Sequence, residues 1–407
     1  MAEAVADVFG LHWPFKQPKA GRGLRRSALH DRWAAAGAVF GLTAGWERGI
    51  WYATGEDDRA LPYSVGEQPW QDHVHREAAA MEHGTALIDL SPFGKFDLSG
   101  PDALSALGYL AAGNVDVAEG QAVYTPLLNA KGGIEADVTV TRIGPDLFRV
   151  TSGAATRWRD LAWLRRNARG RVVIADRTED EVVIGVMGAG SRDLLAAISP
   201  DDWRDFPFAS ARDVTVTGVP ARATRVSFVG ELGWELSIPA ELGCAVFDAL
   251  HGRGARPLGH YALDGCRIEK GFRHWGHDLG PEITPLEAGL GFTLDWSKDF
   301  LGKPALERQR TEGLRRRLHL FEIDGRPLVL HDEPIREGGA VVGLTTSGAR
   351  GARTHKGLAL GMIAIAPGER PPQTAARRFE IEIAGQYYPA RVLERPPFDP
   401  TGERMKA

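Results

Sequence analysis

The chain has 407 residues, which is long enough for two or three domains and for an extensive hydrophobic core. Its composition, 43% hydrophobic and 25% charged, is ordinary for a soluble globular protein. The formal charge of −4 gives no reason to expect nucleic acid or an anionic membrane as a partner.

The two cysteines, Cys244 and Cys266, are too few for a disulfide framework, and neither lies in a metal-ligand spacing. We therefore predict reduced thiols and a cytoplasmic location. Residues 1–7 lack the basic-then-apolar form of a secretion signal. No apolar run approaches the roughly 18 residues that a membrane helix needs, so no membrane association is expected.

Residues 1–66 are rich in Gly, Pro, Arg and Trp, and only residues 28–38 look helical. Because the segment is too aromatic for a disordered tail, we expect it to wrap over a larger body. Residues 68–83 then read as an amphipathic helix, whose His73 and His75 are expected to be solvated. Strands are predicted at 86–90 and 95–98, and a helix at 101–112.

A hairpin is predicted over residues 124–141, with Gly132 and Gly133 in its turn. In the second strand Asp137 and Thr139 share one face, while the intervening valines share the other. A third strand follows at 147–151, a helix at 155–167, and strands at 171–175 and 182–186. Further helices are predicted at 191–198, 240–251 and 261–270.

Residues 225–238 suggest two short strands joined by a tight turn that is bounded by glycines. Because strand side chains alternate between faces, Trp234, Leu236 and Ile238 should enter a core. Glu235 should then face the other way, which we interpret as the mouth of a cavity.

From residue 315 onward the pattern becomes β throughout, with strands predicted at 318–323, 334–344, 358–365 and 378–392. This change marks a C-terminal β domain of about 100 residues. Helices alternating with largely antiparallel strands favour the α+β class over a doubly wound sheet.

Several common sites are excluded by their spacing. Gly188 and Gly190 resemble a dinucleotide loop, but Asp193 replaces the third glycine and no βαβ unit follows. The histidines form no metal-spaced pair, so no metal is predicted, and a hydrolase elbow is absent. Glu235 and Asp137 remain as candidates, although a lone carboxylate on a strand is more often a solvated side chain.

Four ordered motifs resemble the aminomethyltransferase family, which includes the glycine-cleavage T-protein. Residues 124–137 read YTPLLNAKGGIEAD and 227–236 read SFVGELGWEL, while 267–276 read RIEKGFRHWG and 284–290 read TPLEAGL. The likeness covers nearly the whole chain and is strongest to the folate-binding C-terminal half of sarcosine and dimethylglycine dehydrogenases. The flavin half of those dehydrogenases is not recognised in this sequence.

The resemblance implies three domains in a cloverleaf around a central hole, with a C-terminal β-barrel domain. The expected divisions are an N-terminal extension over 1–66, a folate-binding core over 67–306 with an internal break near 190–215, and the barrel over 307–407. The expected cofactor is tetrahydrofolate.

The resemblance also implies roles for individual residues. Glu235 would bind the guanidine-like edge of the pterin, since a carboxylate accepts two parallel N–H bonds from such a group. Asp137 would be the catalytic residue, near the folate nitrogens that accept the one-carbon unit. Tyr124 and Phe228 would line the pterin slot, and the expected cofactor-binding set also contains Leu128 and Trp275.

The same likeness gives one structural expectation and leaves one functional question open. Arg267 and Glu269 are expected to form a structural ion pair. The glycine-cleavage pattern carries two adjacent Asp residues after the turn, whereas here Ala136 precedes Asp137; which carboxylate acts as base is therefore open.

The favoured function is a demethylase that moves a methyl or methylene group from an N-methyl (or S- or O-methyl) small molecule to tetrahydrofolate. The alternative is a non-catalytic or channelling folate-binding subunit of a separate flavoprotein dehydrogenase. The methylene route also requires an oxidant and so predicts a flavoprotein partner.

Overall fold

The structure is a computed structural model that describes residues 2–10, 13–61 and 63–407. Its helices are α1 (Ala2–Asp7), α2 (His30–Ala35), α3 (Gln71–His83), α4 (Ala103–Leu110), α5 (Arg157–Asn167), α6 (Ser191–Ala196), α7 (Gly243–Gly252), α8 (His260–Glu269), α9 (Lys303–Glu312), α10 (Pro371–Ala375) and α11 (Glu403–Lys406). The predicted helices lie within two or three residues of these bounds, which is the usual uncertainty of helix ends.

The strands form one hairpin, two open sheets and a barrel. They are β1 (Ala38–Thr43), β2 (Trp46–Tyr52), β3 (Ala86–Asp89), β4 (Gly94–Ser99), β5 (Ala122–Leu128), β6 (Ile134–Gly144), β7 (Leu147–Ser152), β8 (Val173–Asp176), β9 (Glu181–Met187), β10 (Ala211–Val216), β11 (Val219–Thr224), β12 (Gly233–Pro239), β13 (Arg256–Pro257), β14 (Arg316–Ile323), β15 (Pro334–Glu337), β16 (Ala340–Arg350), β17 (Gly357–Ala364), β18 (Phe379–Ile383) and β19 (Gln386–Leu393).

The first open sheet has six strands in the order β10-β11-β12-β9-β3-β13. Trp234, Leu236 and Ile238 are fully buried on one of its faces, as their alternation predicts. The opposite face packs beneath α3 and α8, where Ile88 and Met187 belong to a second apolar cluster. Glu235 lies on this second face.

The second open sheet has five strands in the order β5-β6-β7-β4-β8. The predicted hairpin is present, with β5 antiparallel to β6. Gly132 supplies a positive φ of 83° in the connecting turn, a conformation that glycine adopts without a steric penalty. Val138 and Val140 enter the core beneath the sheet, so Asp137 and Thr139 occupy the other face.

The C-terminal β domain is a closed barrel in the order β14-β17-β16-β15-β18-β19, which confirms the α+β class and the barrel. Two segments predicted as single strands are each a hairpin. Residues 334–344 turn at Gly338 and Gly339, and residues 378–392 turn at Ala384 and Gly385; all four have positive φ. The continuous apolar pattern concealed these tight turns.

Part of the N-terminal region packs into the body of the molecule. Trp33 on α2 joins the first apolar cluster and lies 4.6 Å, centroid to centroid, from Phe247. Trp51 on β2 joins the second cluster. The proposed domain divisions at 66, near 190–215 and at 306 remain predictions.

Two local expectations are wrong. Residues 225–232 form a bend instead of a strand, and β12 pairs with β11 and β9. The bend is held because the Ser227 hydroxyl accepts the backbone N–H groups of Gly230 and Glu231. His73 is buried rather than solvated, and its Nδ1 lies 3.2 Å from the carbonyl oxygen of Tyr52.

Candidate functional site

Glu235 is a half-buried carboxylate of the six-stranded sheet, between Thr224 on β11 and an apolar region on β9 and β3. It lies directly opposite Gly185 on β9, and Ile88 lies opposite Gly185 on β3. Burial in these surroundings raises the pKa of Glu235 to about 7, and the charge of Lys95 partly offsets that rise. Within the described residues its carboxylate has no hydrogen bond or ion pair, so it is available to a ligand.

Asp137 is the corresponding carboxylate of the five-stranded sheet. Burial raises its pKa to about 6, while hydrogen bonding favours the ionised form and limits the rise. The donor is the hydroxyl of Tyr124, which lies 3.3 Å from Asp137 Oδ2. No cation forms an ion pair with Asp137 in the described part of the chain, so this carboxyl can exchange a proton near neutral pH.

Strand register places Lys95 on the same face as Asp137. Tyr124 on β5 is opposite Thr139 on β6, Thr139 is opposite Thr151 on β7, and Thr151 is opposite Lys95 on β4. Directly opposed residues of antiparallel strands share a face, so these four side chains form one row. Since β4 and β6 are two strands apart, their backbones are separated by about 10 Å.

Lys95 connects this face to the other sheet. Its ammonium is buried and donates to the carbonyl oxygens of Ser91, at 2.8 Å, and Phe93, at 3.0 Å. Burial lowers its pKa to about 8. Lys95 is also the charged group of the described residues that acts on Glu235. Lys95 thus links Glu235 electrostatically with the face that carries Asp137. We propose that Tyr124, Asp137, Lys95 and Glu235 border one opening, which we call the recess.

The exposure of Tyr124 indicates that the recess is open. Burial is the main cause that raises its pKa, yet 40% of the residue is accessible to solvent. Tyr124 is therefore desolvated by protein on one side and open to solvent on the other, as a residue lining an opening would be. The guanidinium of Arg273 lies close enough to Tyr124 to affect its ionisation.

Phe228 lies on the Glu235 side of the molecule. It is half-buried in the 225–232 bend and stacks on Phe272, with ring centroids 5.9 Å apart and planes 20° apart. Both the bend and the segment that carries Phe272 belong to the recognised motifs. The pair offers a flat apolar surface of the kind that suits a planar heterocycle.

Leu128 and Trp275 are placed differently from the other predicted cofactor-binding residues. Leu128 is fully buried in an apolar cluster with Ile134, and it therefore presents no surface to a ligand. Trp275 packs against the same cluster, donates from Nε1 to the carbonyl oxygen of Ile134 at 3.2 Å, and lies 4.5 Å beneath the guanidinium of Arg159. Both side chains support the base of the β5–β6 hairpin.

Sequence reasoning did not single out three charged neighbours of this site: Lys95, Arg273 and Asp160. Asp160 is almost completely buried, accepts the hydroxyl of Thr156 at 2.5 Å, and is affected by the charge of Asp137. Burial raises its pKa to about 7. Arg273 lies in a recognised motif, which was a usable signal, whereas Lys95 and Asp160 reach the site only through strand register and helix packing.

A buried ion-pair cluster lies at the far end of the 225–232 bend. Arg353 binds Glu231 and Glu269, each at 2.9 Å, and Arg404 binds Glu231 at 2.7 Å. We call Glu231, Glu269, Arg353 and Arg404 the buried ion-pair cluster.

The expected Arg267–Glu269 pair is wrong, because Arg267 instead binds Asp264 at 2.7 Å and Asp278 at 3.0 Å.

The described residues lack two further kinds of feature. They contain no group of three or more His, Cys, Asp or Glu side chains placed to hold a metal ion. None of the helices in the described ranges combines the length and apolar character of a membrane-spanning segment.

Comparison with known proteins identifies the family. The description "GCVT N-terminal domain" matches residues 29–298, and "Glycine cleavage T-protein C-terminal barrel domain" matches residues 316–399. A solved aminomethyltransferase T of the glycine cleavage system from Bartonella henselae has the same fold, with a TM-score of 0.81 over 93% of this chain and 99% of that one, at 22% identity.

Curated relatives fall into two groups by length. A 4-methylaminobutanoate oxidase (formaldehyde-forming) of Paenarthrobacter nicotinovorans is 41% identical over 99% of this chain but 50% of its own length, and mouse mitochondrial sarcosine dehydrogenase is 34% identical over 99% and 49%. The chain thus spans about half the length of these relatives. An aminomethyltransferase of Thermosynechococcus vestitus is 32% identical over 85% of this chain and 93% of its own length. The chain belongs to the aminomethyltransferase family of the glycine cleavage T-protein.

Proposed function

We propose that this protein is a tetrahydrofolate-dependent one-carbon transferase, a demethylase that moves a methyl or methylene group from a small N-methyl, S-methyl or O-methyl compound to tetrahydrofolate. The observation that carries the proposal is the pair of desolvated carboxylates, Asp137 and Glu235. They lie on different sheets and have no cationic ion-pair partner among the described residues.

Glu235 is suited to hold the pterin. Its carboxylate is half-buried and has no described partner, so it can accept the paired N–H groups of the guanidine-like edge. Such donors would stabilise the ionised form, whose formation is opposed by burial in the free protein. Phe228 and Tyr124 would supply the flat aromatic surfaces of the pterin slot.

Asp137 is suited to take up the proton that a folate nitrogen loses when it gains the one-carbon unit. A general base works best when its pKa lies near the working pH, and burial moves the Asp137 carboxyl towards that range. Tyr124 holds the carboxylate by its hydroxyl. Once ionised, Asp137 also offers a negative charge to a cationic iminium or methyl donor.

The methyl and methylene routes differ in what else they need. Direct transfer of a labile methyl group to N5 requires no oxidant. Transfer of a methylene group requires that the donor first be oxidised to an iminium ion, and a flavoprotein is the class of partner that would do so. The relatives named as an oxidase and as dehydrogenases favour a donor of the N-methylamine class.

A second function is favoured by the length comparison. Because the chain spans about half of those relatives, it is also what a folate-binding subunit of a separate dehydrogenase would resemble. Such a subunit would bind tetrahydrofolate without turning over a donor by itself.

Turnover by the purified chain separates the two functions. Tetrahydrofolate is incubated with N-methyl, S-methyl and O-methyl donors, and the folate product is identified by mass spectrometry. A 5-methyl or methylene product supports the transferase. Folate binding with turnover only after a flavoprotein dehydrogenase is added leaves the methylene route and the subunit, which Asp137→Asn separates, because only a catalytic transferase should lose its folate product in that variant. Absence of folate binding contradicts both functions.

The site assignment is tested by Glu235→Ala. We expect weaker tetrahydrofolate binding by at least about 1–3 kcal/mol, because pterin donors would remain unpaired; isothermal titration calorimetry measures the change. Glu241→Ala is the matched control, since Glu241 is an exposed carboxylate six residues further along the chain. Equal affinity of the Glu235 variant and the wild type would refute the assignment.

A further inference from the structure

A second cavity lies between the N-terminal region, the start of α3, helix α8 and the barrel. Its volume is about 340 Å³, and neither Asp137 nor Glu235 lines it. The wall is formed by residues 14–15, by several residues between 65 and 74, by Tyr261 and Asp264 of α8, and by barrel residues between 326 and 388. Enclosed spaces where separate units of a protein meet are preferred sites for small ligands.

One side of this cavity is aromatic. Phe15, Trp70 and Tyr261 all line it, and their ring centroids are 5.0 Å apart for Phe15–Trp70, 5.2 Å for Phe15–Tyr261 and 4.5 Å for Trp70–Tyr261. The three rings are inclined to one another by 44° to 79°, so they pack edge-on or tilted against one another in the cavity wall. Aromatic faces carry partial negative charge and attract ammonium groups, including methylated ones.

The carboxylates in the cavity wall differ in whether they have an ion-pair partner among the described residues. Glu67 binds Arg350 at 3.1 Å, and Asp264 binds Arg267 at 2.7 Å. Glu333 has neither a hydrogen bond nor an ion pair for its carboxylate within the described ranges, although it is half-buried.

Neighbouring charges do not neutralise Glu333. The groups that act on it are His331, which favours its ionised form, and the carboxylates of Asp332 and Glu382, which oppose it. His331 is itself hydrogen-bonded to Asp332 at 2.7 Å. A half-buried carboxylate in this setting is stabilised by a cation that enters the cavity.

The segment that follows α8 lies near both the cavity and the recess. Asp264 in its wall interacts electrostatically with His274. His274 follows Arg273, whose guanidinium acts on Tyr124 beside Asp137. The segment after α8 therefore connects the wall of the cavity with the Asp137 side of the recess.

We propose that this cavity binds a small N-methylated ammonium compound, with its cationic nitrogen against the aromatic side and the Glu333 carboxylate. The inference rests on the proposed function, in which such an amine donates the one-carbon unit or is released after losing it. Arg326, an exposed guanidinium of the same wall, would favour amines that carry an acid group at their other end.

Calorimetry on the full chain tests this site. The probes are dimethylammonium chloride, 4-methylaminobutanoate, and pentanoate, which has a carboxylate but no nitrogen. We expect both nitrogen compounds to bind and pentanoate not to bind. If neither ammonium probe binds the wild type, or if pentanoate binds as well as 4-methylaminobutanoate, the proposal is wrong.

Variants locate the binding. Glu333→Gln should weaken both ammonium probes by at least about tenfold, the effect of losing a charge-assisted contact, and Tyr261→Leu should weaken them as well. Glu380→Gln, at an exposed carboxylate of β18, is the matched control and should bind like the wild type. Unchanged ammonium binding in Glu333→Gln would overturn the proposal.

Tetrahydrofolate binding by the same samples separates this inference from the proposed function. Glu333→Gln should bind tetrahydrofolate as the wild type does. Folate binding without ammonium binding overturns the cavity proposal alone, and ammonium binding without folate binding overturns the proposed function alone.

Discussion

Glu231 and Glu235 are four residues apart in one motif, yet the protein treats their carboxylates in opposite ways. Glu231 is 1% exposed and bound by two arginines of distant segments, Arg353 and Arg404. Glu235 is half-buried and has no described partner. The first arrangement compensates the loss of hydration and joins chain segments, whereas the second leaves that loss uncompensated until a ligand arrives.

The surroundings of the two residues explain the difference. Arg353 stacks 3.5 Å from the ring centroid of Phe398 and binds Glu269 on α8, so the buried ion-pair cluster fixes the bend, α8 and the C-terminal segment together. Glu235 is on a regular strand, and the residue directly opposite it on β9 is Gly185, which has no side chain to pair with it. Three predictions follow from this contrast.

Disrupting the buried ion-pair cluster should have the largest effect. We expect Arg353→Met to reduce the free energy of unfolding by about 3–5 kcal/mol, because it leaves Glu269 buried without an ion-pair partner and removes one of the two arginines bound to Glu231. Urea denaturation measures the change. Arg391→Met is the matched control: the Arg391 side chain is 66% exposed and Glu322 keeps Lys356 as a partner, so the pair should contribute at most about 1 kcal/mol. Similar effects of the two substitutions would contradict the contrast.

The substitution Glu235→Gln should instead increase the free energy of unfolding at neutral and alkaline pH. The pKa of Glu235 is near 7 in the folded protein and about 4.5 in the unfolded chain, so its contribution to stability is complete below about pH 4.5 and is lost as the pH rises through 7. We therefore expect Glu235→Gln to be more stable than the wild type by about 1–3 kcal/mol at pH 8 and nearly equal to it at pH 4.5, while binding tetrahydrofolate less tightly.

Urea denaturation at pH 4.5 and pH 8 measures this pH dependence. Glu241→Gln, at the exposed carboxylate, should show no such change. A Glu235→Gln variant that is destabilised at pH 8 would mean that the carboxylate has a structural partner.

The smallest expected effect concerns the proton on Asp137. The hydroxyl of Tyr124 stabilises the ionised carboxylate, so Tyr124→Phe should raise the pKa of Asp137 above its value of about 6 by up to about one unit. The acidic limb of the pH profile of kcat should shift upward by the same amount. Tyr387→Phe, at an exposed barrel tyrosine, should leave the profile unchanged. A downward shift would exclude Asp137 as the base.

The helices, strands and turns were predictable wherever the local spacing of apolar residues and glycines decides the structure. The alternation around Glu235 correctly predicted which side chains of β12 are buried, and the glycines at 132 and 133 correctly predicted the β5–β6 turn. The prediction of a strand failed where side chains, instead of a neighbouring strand, form hydrogen bonds with the backbone. The 225–232 bend depends on the Ser227 hydroxyl and on Arg353, which is more than 100 residues away.

The sequence by itself determined the α+β class, the C-terminal barrel, the family, and the two carboxylates that deserve testing, because periodicity and ordered motifs are local properties. Only the tertiary structure decided which of the neighbouring glutamates is paired and that Lys95 lies between the two sheets. It also moved Leu128 from the expected binding surface into the core. Pairing and burial depend on which distant segments meet, and those distances are set by packing rather than by spacing along the chain.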